Sequence, residues 1–78
     1  MLWKEENNSL QAEFEFADFK EAFEFLNKVA VLAEEHQHHP EIWNVYNKVR
    51  LSLTTHDEGN IVSAKDRKLA KAIDALGY

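Results

Sequence analysis

Apolar and polar residues alternate along the first part of the chain. In SLQAEFEF, residues 9–16, every second position is apolar from Leu10 to Phe16, and glutamine or glutamate stands between. This period of two is typical of a β-strand with one buried face. Residues 2–6 are predicted to form a shorter partner strand, and the Asn-Asn-Ser between the two indicates the turn of a hairpin.

The period changes to that of an α-helix after Asp18. Apolar residues then recur at three- and four-residue intervals, at Phe19, Ala22, Phe23, Leu26, Val29, Ala30 and Ala33. Asp18 and Glu21 have the spacing of an N-cap and its capping-box partner. Because Pro40 disfavours the helical conformation at the residue before it, the last turn is predicted within residues 34–38.

A second alternating segment follows the proline and is predicted to be one long strand. Its apolar face would carry Trp43, Val45, Val49, Leu51 and Leu53. Tyr46 and His56 have the opposite parity, unless a bulge reverses the register. HDEGN, residues 56–60, then predicts a turn, and IVS, residues 61–63, a short strand.

The last predicted element is a helix that begins at Ser63, which forms a second capping box with Asp66. Its apolar face carries Leu69, Ala72, Ile73 and Leu76, and Gly77 is predicted to end it. The order β-β-α-β-β-α predicts an α+β fold in a single domain, residues 1–78. Its four-stranded antiparallel sheet would carry both helices on one face. A core this small and unprotected strand edges favour a homodimer or homotetramer.

Composition narrows the class of protein. No apolar run approaches the roughly 20 residues that span a bilayer, and the first residues lack the pattern of a signal peptide. A cytoplasmic protein without membrane contact is therefore expected. The net charge of −5, with acidic residues spread along the chain, argues against binding nucleic acid through its phosphates. The chain has no cysteine, which excludes disulfides and thiolate metal sites.

Histidines are the candidate chemical groups. His36, His38 and His39 stand directly before Pro40, and His56 follows the second alternating segment. They could simply decorate the end of a helix, bind a metal, or transfer protons at a pKa around 6.5. Only His36 and His39 have a helical spacing, and no recognised ligand pattern is present, so no metal site is predicted. Whether His38 and His56 converge does not follow from their spacing.

At these residues the chain resembles the pterin-4a-carbinolamine dehydratase family. The family signature is an acidic residue, His-His-Pro, an aromatic residue, a further histidine and a later aspartate. The matching positions are Glu34, His38, His39, Pro40, Tyr46, His56 and Asp66. The resemblance extends from Trp3 onward. It departs from the family in lacking an N-terminal helix and in having DEGN where the family has a glycine-rich turn.

The resemblance implies a dehydratase that converts 4a-hydroxytetrahydropterin to quinonoid dihydropterin, in the recycling of tetrahydrobiopterin. It implies that His38 and His56 are the acid/base pair and that His39 binds and positions the pterin. Glu34 would orient an imidazole. No redox cofactor or metal is implied.

Three other positions of interest have structural alternatives. Trp43 has core parity, which favours packing over stacking on the pterin. Tyr46 either lines the pocket or covers the sheet. The spacing of Asp66 from Ser63 favours helix capping.

The resemblance also implies partners. An aromatic amino acid hydroxylase would supply the substrate, and family members join their sheets edge to edge. A function of another class is the alternative, because animal members also act as dimerisation cofactors and coactivators for a homeodomain transcription factor.

Overall fold

The computed structural model describes residues 3–78, except for the side chain of Glu58. Its helices and strands, in chain order, are β1 (Lys4–Glu6), β2 (Ser9–Glu15), α1 (Phe19–His36), β3 (Glu41–Val45), β4 (Lys48–Leu53) and α2 (Ala64–Asp74). A single 3₁₀ turn, His56–Glu58, lies between β4 and α2. The predicted order β-β-α-β-β-α is confirmed. The start of the first predicted strand, Leu2, lies outside the described residues.

The four strands form one antiparallel sheet in the order β1-β2-β4-β3, which confirms the predicted fold class. Both helices pack on the same face of this sheet, because one apolar cluster contains residues of each helix and of the two central strands. Its fully buried members are Ala22, Phe25 and Val29 of α1, Leu69 and Ile73 of α2, and Val49, Leu51 and Leu53 of β4. Polar and charged side chains occupy much of the other face. Within residues 3–78 neither helix combines the length and the apolar character needed to cross a bilayer.

The long strand predicted over residues 43–53 is wrong, because a tight hairpin turn at Tyr46 and Asn47 divides it. Tyr46 adopts the left-handed φ of 50° that such a turn requires. Since Val45 pairs with Lys48 and Trp43 pairs with Arg50, the two-residue turn reverses the parity of β3 relative to β4.

Trp43 and Val45 therefore lie on the open face of the sheet, not with Val49 in the core. Trp43 is 41% exposed, so its predicted core position is also wrong. The predicted strand over residues 61–63 is reduced to a single bridge between Ile61 and Thr55.

The buried stripe of α1 is rotated relative to its predicted position. Phe25 is fully buried, whereas Phe19 and Phe23 are 49% and 45% exposed and pack their rings against each other. Ala30 is also exposed. The predicted cap is confirmed, because the Asp18 carboxylate accepts the backbone N–H of Glu21 at 2.8 Å. Phe19, Phe23 and Phe25, three phenylalanines within seven residues of α1, made the apolar face too broad for its centre to be located from the sequence.

We expect this protein to associate in solution, because β3 is an edge strand with apolar side chains in contact with water. Ile42 is 50% exposed and Val45 55% exposed, and unpaired backbone groups along such an edge can pair with another chain. Sedimentation equilibrium at micromolar concentration should give at least twice the 9.1 kDa mass of one chain. A species of 9.1 kDa under those conditions would remove the expectation.

Candidate functional site

The β3–β4 hairpin brings the histidine-bearing segments to one end of the sheet. His38 and His39 lie just before the start of β3, and His56 lies just after the end of β4. The start of one strand and the end of the other are neighbours, because Glu41 pairs with Ser52. The hairpin turn thus places both segments at the same end of the sheet, a position that the sequence left open.

The end of α1 directs His38 out of the helix. Gln37 adopts a left-handed φ of 52°, which is uncommon for a residue other than glycine. The N–H of His38 donates to the carbonyl of Ala33 at 3.0 Å, and that of Gln37 donates to the carbonyl of Glu34 at 3.2 Å. These two bonds form a Schellman motif. The helix therefore ends at His36, and the chain turns so that His38 faces α2.

The His38 imidazole binds a buried carboxylate. Its Nε2 lies 2.5 Å from Asp66 Oδ1; the histidine side chain is 11% exposed and that of Asp66 is 0% exposed. The other carboxylate oxygen accepts the Ser63 backbone N–H and the Thr55 hydroxyl, each at 2.8 Å. Asp66 therefore does cap α2, as predicted, and it also holds His38. The contact with His38 was not predicted, and the place of Asp66 in the family signature was the only indication of a role beyond capping.

The charge state of Asp66 determines which nitrogen of His38 is free. Burial by itself raises the pKa of Asp66, but hydrogen bonds from His38, Ser63 and Thr55 outweigh it, so the pKa lies below its ordinary value. The carboxylate is consequently ionised near neutral pH and can only accept hydrogen bonds. His38 therefore carries its proton on Nε2, and its Nδ1 is left for other chemistry.

Asp66 should make the stability of the protein depend on pH in the acid range. Because the pKa of Asp66 is lowered in the folded state, its contribution to the free energy of unfolding is fully present above the unfolded-state pKa of about 3.9. That contribution is lost as the pH falls through the pKa of Asp66 in the folded protein. We expect the free energy of unfolding of the wild type to exceed that of Asp66→Asn by about 1–3 kcal/mol near neutrality. Urea unfolding at stepwise lower pH should show this difference shrinking below about pH 4; a constant difference would contradict the expectation.

His39 and Glu34 form a second, exposed pair. His39 Nε2 lies 2.5 Å from Glu34 Oε2, and both side chains are more than half exposed. Glu34 was predicted to orient an imidazole, and the imidazole that it contacts is that of His39, not that of His38. Exposed pairs of this kind contribute at most about 1 kcal/mol to stability, so the contact affects ring orientation more than folding.

The His56 side chain is exposed beside the same region. Thr55, which donates to Asp66, is the preceding residue, so the backbone of His56 lies next to the buried carboxylate. His56 Nδ1 lies 2.6 Å from the amide oxygen of Asn60. An amide oxygen can only accept, so the proton is on Nδ1 and the free nitrogen is Nε2. His36, the last residue of α1, makes no side-chain hydrogen bond within residues 3–78.

The structure does not bring Trp43 and Tyr46 to the histidines within one chain. Trp43 lies on the open sheet face, where the Arg50 guanidinium carbon is 4.0 Å from its ring centroid. Tyr46 precedes β4 while His56 follows it, and a six-residue strand spans roughly 17 Å. Their predicted contribution to substrate binding stays a prediction.

The acidic and imidazole side chains also bear on metal binding. In the part of the chain that the structure describes, no group of three or more of them is arranged to hold a metal ion. His38, His39 and His56 each bind a different oxygen acceptor instead. Each acceptor restricts which nitrogen of its imidazole ring carries a proton.

Comparison with known proteins gives matches from a single family. A model of the family described as pterin 4 alpha carbinolamine dehydratase matches residues 1–76. A Prochlorococcus marinus protein is 51% identical over 74 residues, which cover 95% of this chain and 77% of that protein. A Paraburkholderia xenovorans protein is 49% identical over 69 residues, 88% of this chain and 71% of that protein. Both carry the name pterin-4-alpha-carbinolamine dehydratase, in each case as a provisional assignment.

Two solved structures have the same fold. A transcriptional coactivator/pterin dehydratase from Brucella melitensis has a TM-score of 0.91 and 37% identity, covering 99% of this chain and 83% of its own. A pterin dehydratase-like protein, identified as a RuBisCO assembly factor in the alpha-carboxysome, has a TM-score of 0.80 and 28% identity. That match covers 97% of this chain and 89% of the other. Proteins of this fold are thus described as enzyme, coactivator and assembly factor.

Proposed function

We propose that this chain, which belongs to the pterin 4 alpha carbinolamine dehydratase family, removes water from 4a-hydroxytetrahydropterin to give quinonoid dihydropterin. The observation that carries the proposal is the contact between His38 and the buried carboxylate of Asp66, beside which His56 follows β4. A buried charge that fixes the tautomer of a partly exposed histidine is a common feature of sites that transfer protons.

The reaction needs one acid and one base. The bond between C4a and its hydroxyl oxygen breaks, and an acid supplies the proton with which that oxygen leaves as water. A base removes the proton from N5, and a double bond forms between C4a and N5. Neither step transfers electrons to another molecule, and proton transfer by positioned side chains contributes about 10²–10⁴-fold to a rate.

The tautomers suit the pair His38 and His56 for these two roles. His38 would exchange a proton through Nδ1, because Asp66 occupies its Nε2. His56 would do so through Nε2, because Asn60 occupies its Nδ1. His39 is proposed to bind and position the pterin ring, and Glu34 holds the His39 imidazole at 2.5 Å. Trp43 and Tyr46 would take part in substrate binding only through rearrangement or a neighbouring chain.

A binding role without chemistry is the second candidate. It is favoured by the name of the Brucella structure, which joins coactivator to pterin dehydratase. The exposed, mutually packed rings of Phe19 and Phe23 on α1 offer apolar surface for a protein contact. Such a role would not depend on His38 or His56, which separates the two candidates experimentally.

An assay of the purified protein tests the proposal. A hydroxylase that acts on an aromatic amino acid is supplied with tetrahydrobiopterin, and the absorbance change of dehydration is followed with and without the protein. We expect a rate above the spontaneous one that is unchanged by exhaustive chelation, since the proposed steps need no metal. Activity that chelation removes and zinc restores would contradict metal independence. A rate equal to the spontaneous one would favour the binding role. The recycling of tetrahydrobiopterin in the cytoplasm, in partnership with such a hydroxylase, belongs to the same proposal.

A further inference from the structure

The turn after β4, residues 55–61, is closed by backbone hydrogen bonds and begins at Thr55, which contacts the buried Asp66 carboxylate. The N–H of Thr55 donates to the carbonyl of Ile61 at 2.9 Å, and the N–H of Asn60 donates to the carbonyl of Thr55 at 3.1 Å. Within this turn, the N–H of Gly59 donates to the carbonyl of His56 at 3.1 Å. His56 and Asn60 therefore belong to one hydrogen-bonded unit.

Two consecutive left-handed residues reverse the direction of the chain within this turn. Gly59 has a φ of 84° and Asn60 a φ of 59°. Asparagine is among the few residues with a side chain that adopt this conformation readily. The reversal brings the Asn60 amide back over the 3₁₀ turn, where its oxygen lies 2.6 Å from Nδ1 of His56.

We propose that Asn60 is a positioning residue for His56: its amide oxygen keeps the imidazole in the Nδ1–H tautomer and leaves Nε2 free for proton transfer. The catalytic part of this inference rests on the proposed acid/base role of His56. Without an acceptor at Nδ1, an exposed imidazole would exchange between its two tautomers and rotate. In the tautomer with a proton on Nε2, the neutral ring has no lone pair at that nitrogen to serve as a base.

The backbone of the turn does not by itself require this side chain. Glycine adopts a positive φ at least as readily as asparagine, so Asn60→Gly keeps the turn and removes only the amide. Asn60→Asp keeps an oxygen acceptor at the same place and also tolerates the left-handed region. The two variants therefore separate the acceptor from the backbone conformation.

Tautomers are read directly from long-range ¹H–¹⁵N correlations of the imidazole rings, with His56→Ala to assign the signals. We expect the Nδ1–H pattern for His56 in the wild type and in Asn60→Asp, and its loss in Asn60→Gly. The kcat for dehydration should fall about tenfold in Asn60→Gly, because one ordinary hydrogen bond holds the productive tautomer, and should largely recover in Asn60→Asp. The KM should change little, since Asn60 does not itself bind the pterin.

A matched control is Asn7→Gly. Asn7 is a left-handed asparagine, with a φ of 51°, in the turn between β1 and β2. The Asn7→Gly substitution should leave both the His56 spectrum and kcat unchanged. An identical His56 spectrum in wild type and Asn60→Gly would overturn the proposal whatever the activity. If the tautomer changed while kcat did not, the catalytic part would be overturned, and His56→Ala would show separately whether the acid/base role of His56 stands.

Discussion

Replacement of His38 or His56 by alanine is expected to lower kcat by about 10²–10⁴-fold, the usual contribution of a positioned acid or base. Each residue has a fixed tautomer with one free nitrogen, and neither has a second imidazole on the same acceptor to take its place. Spontaneous dehydration sets a floor, so the measured loss is read as the rate above that background. Each variant is first checked for folding by thermal unfolding.

The other two histidines separate chemistry from binding and provide a control. His39 is exposed and held by Glu34, so His39→Ala should raise KM more than it lowers kcat. His36 lies outside the family signature and points about 160° away from Glu34 by the 3.6-residue period. His36→Ala should therefore retain wild-type kcat. Wild-type kcat in both His38→Ala and His56→Ala, or inactivity confined to His36→Ala, would refute the assignment.

The sequence was sufficient for the layers of the fold and insufficient for one turn. Strict alternation in β2 and the apolar period of α2 predicted both elements correctly, and the caps at Asp18 and Ser63 marked where the helices begin. The hairpin turn at Tyr46–Asn47 was missed because neither residue is glycine and the alternation continues across it. A two-residue turn leaves the alternation of apolar and polar residues along the chain unbroken. It nevertheless puts Val45 and Val49 on opposite faces of the sheet, so the alternation does not reveal the turn.

That single turn decides most of what could be foreseen of the candidate site. With one long strand, His38 and His56 would lie at opposite ends of the sheet; with a hairpin, they lie at the same end. The resemblance supplied the residues, and the spacing could not supply their convergence. The second contact of Asp66 was hidden because local capping already explained the residue, while His38 is 28 positions away along the chain. Asn60 was read only as part of a turn, because its bond to His56 depends on two consecutive left-handed residues.

Asp66→Asn should lower kcat strongly while leaving the geometry of the site nearly intact. Two donors, the Ser63 N–H and the Thr55 hydroxyl, face one oxygen of Asp66, so the amide oxygen of the new side chain would take that place. Its NH₂ group would then face His38 Nε2, which must offer a lone pair and shift its proton to Nδ1. The nitrogen needed for proton exchange is thereby altered. The same carboxylate-to-amide change beside the histidine of a Ser-His-Asp triad costs about 10⁴-fold in kcat through a wrong tautomer, and we expect about 10²–10⁴-fold here.

Asp74→Asn is the matched control for this substitution. Asp74 lies on the same helix and also accepts a ring N–H, that of Trp3 Nε1 at 2.8 Å, but it lies at the opposite end of α2. The Asp74→Asn variant should lose some stability and keep the wild-type kcat. In Asp66→Asn, the ¹⁵N signals of His38 should change from the Nε2–H to the Nδ1–H pattern, with KM changed less than kcat because Asp66 is fully buried and does not reach the pterin. An unchanged His38 tautomer together with wild-type kcat would show that the carboxylate only caps α2, whereas a changed tautomer with wild-type kcat would remove His38 from the chemistry.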